Sequence, residues 1–391
     1  MFRPLRNTLY HCRMQADSSA PMLEFFAGGG LARLGLEPDF SCIFANDIDP
    51  AKAGAYRTAF GGEHLVEGDI WRLKPGAVPS GASLAWASFP CQDLSLAGAR
   101  GGLAAPRSGA FWGFHRLLER LGADAPDVLA LENVCGLLSS HNGADFTALV
   151  HALDSLGYRV GALEIDAALF TPQSRSRLFI IASRRVPAHL AMTGPVEPFH
   201  TPGLRNVVAR LPDGLRKRFV WWRLAPPARR NTSLMDLLDD DHQGTPWRSE
   251  EQTQTLLAQM SELQRARVAA IAASGETQVG AVFRRIRIEH GKKVQRAEAR
   301  FDGLAGCLRT PAGGSSKQML LFVDGERIRS RLVSPREAAR LMGVPEHYPL
   351  PSGATAALHL LGDGVCVPVV RWLAGNLLAP LAGVDGRRKR A

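Results

Sequence analysis

The sequence predicts an α/β protein, a doubly wound and mostly parallel seven-stranded sheet with a second, smaller domain inserted into it. Three observations predict this. Short apolar strands alternate with helical stretches through the first half, the pattern of βαβ units that build a parallel sheet. That alternation stops after Ser183, where prolines and glycines punctuate the chain as they do a linker. Positive charge then accumulates as far as Ser330, and apolar helical periodicity returns beyond it.

Taken in order, the candidate strands are "MLEFFA", "SCIFAND", "HLVEGD", "SLAWASF", "VLALEN", "YRVGALEI" and "RLFIIAS". Each is a short apolar run of the kind a buried strand needs. Between the fourth and fifth, "SGAFWGFHRLLERLG" has helical spacing, with Phe111, Phe114, Leu117, Leu118 and Leu121 on one face. "VPAHLAMTGPVEPFHTPG" then reads as the linker. Beyond it "SEEQTQTLLAQMSELQRARVAAIAASG" predicts a single helix, opened by a Ser249 to Gln252 capping box and closed near Gly275. "AVFRRIRIEHGKKVQRAEARF" predicts a hairpin turning at Gly291. From "RLVSPREAARLMG" to "LLGDGVCVPVVRWLAGNLLAPLAG" the periodicity is helical and apolar, so this part is expected to pack back on the first domain. The expected division is an N-terminal arm at 1–20, a first domain at 21–186, an inserted domain at 187–330, a returning segment at 331–382 and a basic tail at 383–391.

Composition narrows the function. The chain has 391 residues, 46% of them hydrophobic, and a formal net charge of +10. Between Arg184 and Ser330 there are 24 Lys and Arg against 15 Asp and Glu, a surplus of 9 that accounts for nearly all the excess. A surplus confined to one segment points to a polyanionic partner. No apolar run reaches the length of a bilayer span and the N-terminus lacks the apolar middle of a signal peptide, so the expected location is the cytoplasm, without membrane attachment. The six cysteines, Cys12, Cys42, Cys91, Cys135, Cys307 and Cys366, show no metal-ligand spacing, and no metal is expected.

The turns after the strands carry the chemistry. "FFAGGGL" is a Gly-rich turn at a strand-to-helix junction, weak by itself because tight turns need glycine anyway. Ligands of open parallel sheets bind beyond the carboxyl ends of the strands, where an acid ending the second strand can hold ribose hydroxyls. "FANDIDP" places Asp47 there and "EGDI" places Asp69 after the third strand. No GxGxxG or GxxxxGK[ST] pattern is present, and carboxylates with no opposing Lys or Arg favour a neutral or cationic cofactor over a polyphosphate. The sulfonium of S-adenosylmethionine fits that preference. At the end of the fourth strand, "SFPCQDLS" exposes Cys91. Alone it reads as a small buried hydrophobe. The fifth strand ends "LALENVCG", however, and puts Glu132 at the same rim, and a thiolate beside a carboxyl group that shares a proton is a covalent-catalysis pair.

The ordered set "EFFAGGGL", "NDIDP", "GDI", "SFPCQDLS", "PRSGAFW", "LENVCGL", "FTPQSRSRLFIIAS", "LVSPREAARLMGVP" and "LGDGV" resembles the cytosine-5 DNA methyltransferases of bacterial restriction-modification systems, from Met22 to about Leu381. The resemblance implies the class I S-adenosylmethionine-dependent methyltransferase fold, with a catalytic and cofactor-binding first domain and an inserted target recognition domain. It implies that Cys91 is the nucleophile adding to C6 of a flipped cytosine, with Pro90 and Gln92 in its loop. Glu132 would contact the N3 and N4 edge of the base, and Arg175 and Arg177 would be the active-site basic pair. Phe26, Ala27, Gly28 and Gly30 would approach the methionine end of S-adenosylmethionine, Asp47 and Ile48 its ribose side, and Asp69 with Ile70 its adenine, with Pro90, Ala110, Asp363 and Val365 completing the pocket. In the inserted domain Arg284, Arg285, Arg287, Lys292 and Lys293 would hold phosphates of double-stranded DNA. "GCLRTPAGGSSKQ" would read bases through Arg309, Thr310, Ser315, Ser316, Lys317 and Gln318, Arg to guanine and Gln to adenine being the usual pairings.

Three positions depart from the family pattern. Asp47 stands where Glu is more frequent, Leu31 follows the glycines where a further glycine is common, and "GDGV" replaces Gly-Asn-Ser-Val, so that Asp363 could repel the cofactor carboxylate. The expected protein is a monomer methylating duplex DNA, possible partners including a restriction endonuclease that shares its site. The competing readings are a tRNA cytosine-5 methyltransferase, disfavoured by the large basic insertion, and a catalytically silent DNA-binding homologue, disfavoured by the complete Cys91, Glu132 and Arg177 set.

Overall fold

The structure, a computed structural model, describes residues 19–90, 109–239, 245–289, 291–310 and 317–384. All seven expected strands are present: β1 (Ala20–Phe25), β2 (Phe40–Asp47), β3 (Leu65–Glu67), β4 (Leu84–Ala87), β5 (Val128–Asn133), β6 (Arg159–Asp166) and β7 (Ser176–Ser183). They form one sheet in the order β3-β2-β1-β4-β5-β7-β6. Pairing is parallel except that β7 runs antiparallel to both β5 and β6.

The sheet is covered on both faces, which is why its strands read as continuous apolar runs instead of alternating ones. Side chains of one strand nevertheless point alternately to two cores. Val128 and Ala130 of β5 pack with Leu31 and Leu36 of α1 (Leu31–Leu36), whereas Leu129 and Leu131 pack with Phe111, Phe114, Phe146 and Leu149. On the rim, α2 (Pro50–Phe60) follows β2 and is capped by Asp49, whose side chain accepts from Ala51 N and Lys52 N. The second core is closed by α3 (Gly109–Leu121) and α4 (Ala144–Ser155). In α3 Phe111, Phe114, Leu117 and Leu118 are buried as expected.

Residues 187–222, expected in the inserted domain, pack instead on the sheet. Val220 donates to Val160 O at 2.8 Å, the short pair β8 (Ala191–Met192) and β9 (Trp221–Trp222) lies beside β6, and α5 (Pro202–Ala209) and α6 (Asp213–Arg218) extend the second core through Leu204, Val207 and Leu215. Apolar residues scattered among prolines and arginines gave no periodic signal there.

The single helix expected over 249–275 is two, α7 (Glu250–Ala258) and α8 (Glu262–Ser274). The capping box at Ser249 and Gln252 forms, but Ser261 caps a second start by accepting from Gln264 N, and Gly275 ends α8 at φ 72. These helices lie on a separate antiparallel sheet ordered β11-β10-β12-β13, made of β10 (Gln278–Glu289), β11 (Lys292–Arg300), β12 (Met319–Asp324) and β13 (Arg327–Leu332). Leu256, Met260 and Val268 fill the core between them with Val282, Ala297, Met319 and Leu321.

The chain then returns through α9 (Pro335–Leu341), α10 (Ala354–Asp363) and α11 (Val367–Leu373). Residues Ala354–Leu381 are, contrary to the sequence expectation, apolar and long enough to cross a bilayer. In the fold this stretch bends through extended backbone at Gly364 and Cys366, and Val367, Val370 and Leu373 are buried in the core with α1. Val370 sits so close to Gly35 that no Cβ fits there.

Candidate active site

The carboxyl ends of β1, β2 and β3 meet at one rim. Gly28 and Gly30 take left-handed backbone at φ 57 and 73, so the chain after β1 turns sharply and presents the Gly28 amide to Asp47. Asp47 is buried, its two carboxylate oxygens accepting from Gly28 N at 2.7 Å and Asp49 N at 2.8 Å. Burial pushes the Asp47 carboxyl above its ordinary range, and these two amides pull it back. Two residues that sequence reasoning missed hold this rim. Asn46 donates to Val66 O and Gly68 O, each at 2.9 Å, tying the end of β2 to the turn that carries Asp69. Tyr348 donates to Gly29 O at 2.6 Å, fastening the glycine turn from the returning segment.

Asp69 caps a short turn by accepting from Trp71 N at 3.0 Å. Ile70, expected to face the adenine, is instead buried against α3, where its Cγ2 would meet a Cβ at Gly113. The exposed apolar surface at this rim is Ile48 and Trp71, 62% and 42% accessible. Trp71 was missed because only the acid and the residue next to it match the motif. Phe26 has left-handed backbone at φ 55, Ala27 is pinned by its amide to Asn46 O at 3.0 Å, and Ala110 stands in the first turn of α3.

Asp363 arrives from the other side. It forms an ion pair with Lys52 Nζ at 2.7 Å, and Gly364 beside it packs on Leu31 so tightly that an added Cβ would lie 2.5 Å from Leu31 Cδ2. The expectation that no cation opposes the pocket carboxylates is therefore corrected. Burial of Lys52, in the first turn of α2, works to lower its pKa, but Asp363 above all, and then Asp47 and Asp49, raise it above the ordinary value. Val365 is buried behind this loop.

At the adjoining rim, β4, β5 and β7 bring together Glu132 and Arg177. Arg177 Nε lies 3.1 Å from Glu132 Oε1, with both side chains largely buried. Burial raises the Glu132 carboxyl above the ordinary range, while Arg177, then Arg175 and a Ser88 hydroxyl, draw it down. Asn133 donates to Phe89 O at 3.3 Å and so fixes the chain entering Pro90, which is exposed. Cys91 and Gln92 lie outside the described residues, as do Ser315 and Ser316.

The expected basic pair is divided. Arg175 is 2% accessible and faces carbonyls, donating to Leu308 O at 2.7 Å, Gly362 O at 3.0 Å and Gly364 O at 2.6 Å. It is a clamp between β7, the segment before residue 311 and the loop bearing Asp363. Gln173 adds to it, donating to Leu341 O at 2.8 Å and accepting from Leu308 N at 3.1 Å. Gln318, expected to read adenine, is likewise engaged: with its amide oriented to satisfy both partners, it accepts from Gly306 N at 2.6 Å and donates to Gly306 O at 3.1 Å. Lys317 Nζ rests 3.4 Å from Thr355 Oγ1. Arg309 is exposed beside Thr310, and their backbone lies against Gly362, where a Cβ would come within 2.6 Å. In the hairpin Arg285, Arg287, Lys292 and Lys293 are exposed, Arg284 is partly buried, and Arg287 pairs with Glu298 at 3.3 Å.

Comparison with known proteins agrees with this arrangement. The family model described as C-5 cytosine-specific DNA methylase matches residues 21–379. The Type II methyltransferase M.NlaX of Neisseria lactamica is 27% identical over 371 residues, covering 94% of this chain and 99% of its own. M.HhaI of Haemophilus parahaemolyticus is 24% identical over 357 residues, covering 91% and 93%. Among solved structures, the Dnmt2 methyltransferase of S. pombe superposes with a TM-score of 0.56 at 19% identity, over 90% of this chain and 97% of that one. A putative DNA modification methyltransferase encoded within an E. coli prophage gives 0.54 at 16% identity, over 94% and 99%. At these identities the structural likeness speaks for the fold.

Proposed function

This chain belongs to the C-5 cytosine-specific DNA methylase family and is a DNA cytosine-5 methyltransferase; from that premise we propose that it methylates one short site in duplex DNA, as a cytoplasmic monomer, beside a restriction endonuclease sharing the site. The observation that carries the reading is the Glu132–Arg177 pair at the exit of β4, where the chain enters "PCQ".

In this reading the Cys91 thiolate adds to C6 of a cytosine turned out of the stack, since the carbon is inaccessible in duplex. Glu132, whose carboxyl holds its proton above the ordinary range, donates to N3 as electron density moves into the ring. Arg177 orients Glu132 and faces the same pocket. After methylation a base removes the C5 proton, the C6–S bond breaks so that Cys91 leaves as thiolate, and N3 returns its proton to Glu132, which restores the neutral aromatic ring and the acid. Bound S-adenosylmethionine supplies the methyl group. Three features support that reading: Gly28 has open space where a Cβ would stand, the Asp47 carboxylate ends β2 where a ribose would be held, and Ile48 and Trp71 offer exposed apolar surface for adenine. Arg309 and Thr310 are the base-reading candidates, and residues 245–332 are the recognition module.

Sequencing 5-methylcytosine at base resolution in unmethylated genomic DNA, after incubation with protein and S-adenosylmethionine, tests this. Methylation is expected at one recurring sequence, and Cys91→Ser is expected to abolish transfer while retaining DNA binding. Persistent transfer by that variant would refute the nucleophile assignment. An RNA-only product would favour the tRNA reading.

Lys52 answers the repulsion expected from Asp363. Lys52→Ala is expected to weaken cofactor binding roughly three- to fivefold at low salt, the scale of a partly exposed pair, with recovery in Lys52→Ala/Asp363→Asn. Titration calorimetry with S-adenosylmethionine measures both, and unchanged affinity in the single variant would contradict the assignment.

A further inference from the structure

Resting on the reading of this chain as a DNA methyltransferase, we propose that the tip of the β10–β11 hairpin enters the major groove, where Ile286 and Ile288 contact thymine C5-methyl groups. The register from Ala281↔Arg300 to Glu289↔Lys292 is unbroken, so alternation assigns every side chain to a face. Val282, Ala297 and Ala299 share the face that α7 and α8 cover. Beyond the reach of those helices, the same face continues with Arg284, Ile286, Ile288, Lys293 and Gln295. Ile286 and Ile288 are 62% and 76% accessible, among the most exposed large apolar side chains described.

Charge selects the occupant. The isoleucine face carries no acid between Arg284 and the turn. Glu289 and Glu298 lie on the reverse face, where they pair with Arg296 and Arg287. An apolar strip edged by cations and the neutral Gln295, with no acid, suits a polyanion that also offers apolar groups, and thymine methyls are the apolar groups of the major groove. A two-stranded ribbon is also a shape that groove admits. Residues two apart on a strand are roughly 6.8 Å apart, about two base steps along one DNA strand. The hairpin thus contributes base discrimination, where its basic residues alone would contribute only sequence-independent affinity.

The test measures binding of the full-length protein, by fluorescence anisotropy, to a duplex containing its methylation site and flanks, and to the same duplex with every thymine replaced by deoxyuridine. Loss of the methyl groups is expected to weaken wild-type binding about tenfold, the scale of one or two buried methyls. Ile286→Ala/Ile288→Ala is expected to bind the thymine duplex with that lower affinity and to lose nothing further on deoxyuridine. Equal wild-type affinity for both duplexes overturns the proposal and leaves the DNA methyltransferase reading intact. An equal further loss in the variant overturns it too, because the methyls would then be read elsewhere. Binding to neither duplex would overturn both readings.

Discussion

Glu132→Gln is expected to lower the single-turnover rate of methyl transfer by about 10²- to 10⁴-fold, the contribution of a positioned general acid. Glutamine keeps the volume and an oxygen for Arg177 Nε, which lies 3.1 Å from Glu132 Oε1. It cannot deliver a proton to N3. The fold and the affinities for DNA and cofactor should therefore stay near wild type, and the loss should appear in the chemical step. Burial raises the Glu132 carboxyl above the ordinary range against the pull of the two arginines, which favours the proton-bearing form that the step uses. A loss of less than tenfold would show that protonation of the base comes from elsewhere.

Glu337→Ala is expected to cost about 3–5 kcal/mol of stability, the range for breaking one side of a buried ion pair. Glu337 is fully buried and its carboxylate accepts from Arg331 at 2.6 and 2.7 Å, from Ser334 N at 2.8 Å and from Asp239 N at 2.9 Å. Arg331 is itself 5% accessible and packs over Trp247 and Phe322. Truncating the acid leaves the buried guanidinium with the Leu332 carbonyl, at 3.1 Å, and the two rings but no opposite charge. Arg331→Met/Glu337→Leu should recover much of the loss, since an apolar pair of similar volume avoids that penalty. Scanning calorimetry distinguishes them: a single variant melting like wild type would show that the pair contributes nothing.

The seven strands were legible because a strand buried on both faces leaves a short, unmixed apolar run between turns, as "VLALEN" does. The rim residues were legible through motifs that fix both type and spacing. What escaped was mostly tertiary; the one local signal was "SELQ", which repeats the Ser-x-x-Gln spacing of Ser249 to Gln252 but lies inside an unbroken helical pattern that masks it. Lys52 reads as one exposed cation of an amphipathic helix, and its partner Asp363 lies 311 positions away. Arg175 and Arg177 are two residues apart on neighbouring sites of one motif, yet one meets a carboxylate and the other three backbone carbonyls. Trp71 and Tyr348 act through exposure and a single hydroxyl, for which spacing carries no signal.

The Arg175 clamp also sets a rule for transplanting specificity. One guanidinium binds the Leu308 carbonyl together with those of Gly362 and Gly364, so the root of the base-reading segment is welded to the cofactor side of the enzyme. A graft of residues 245–332 exchanged with a relative must therefore keep the backbone path at Leu308, since the clamp holds a carbonyl and no side chain. A graft that shifted that carbonyl would disturb the loop that carries Asp363. One that kept it in place would change the sequence read and leave the cofactor pocket as it was.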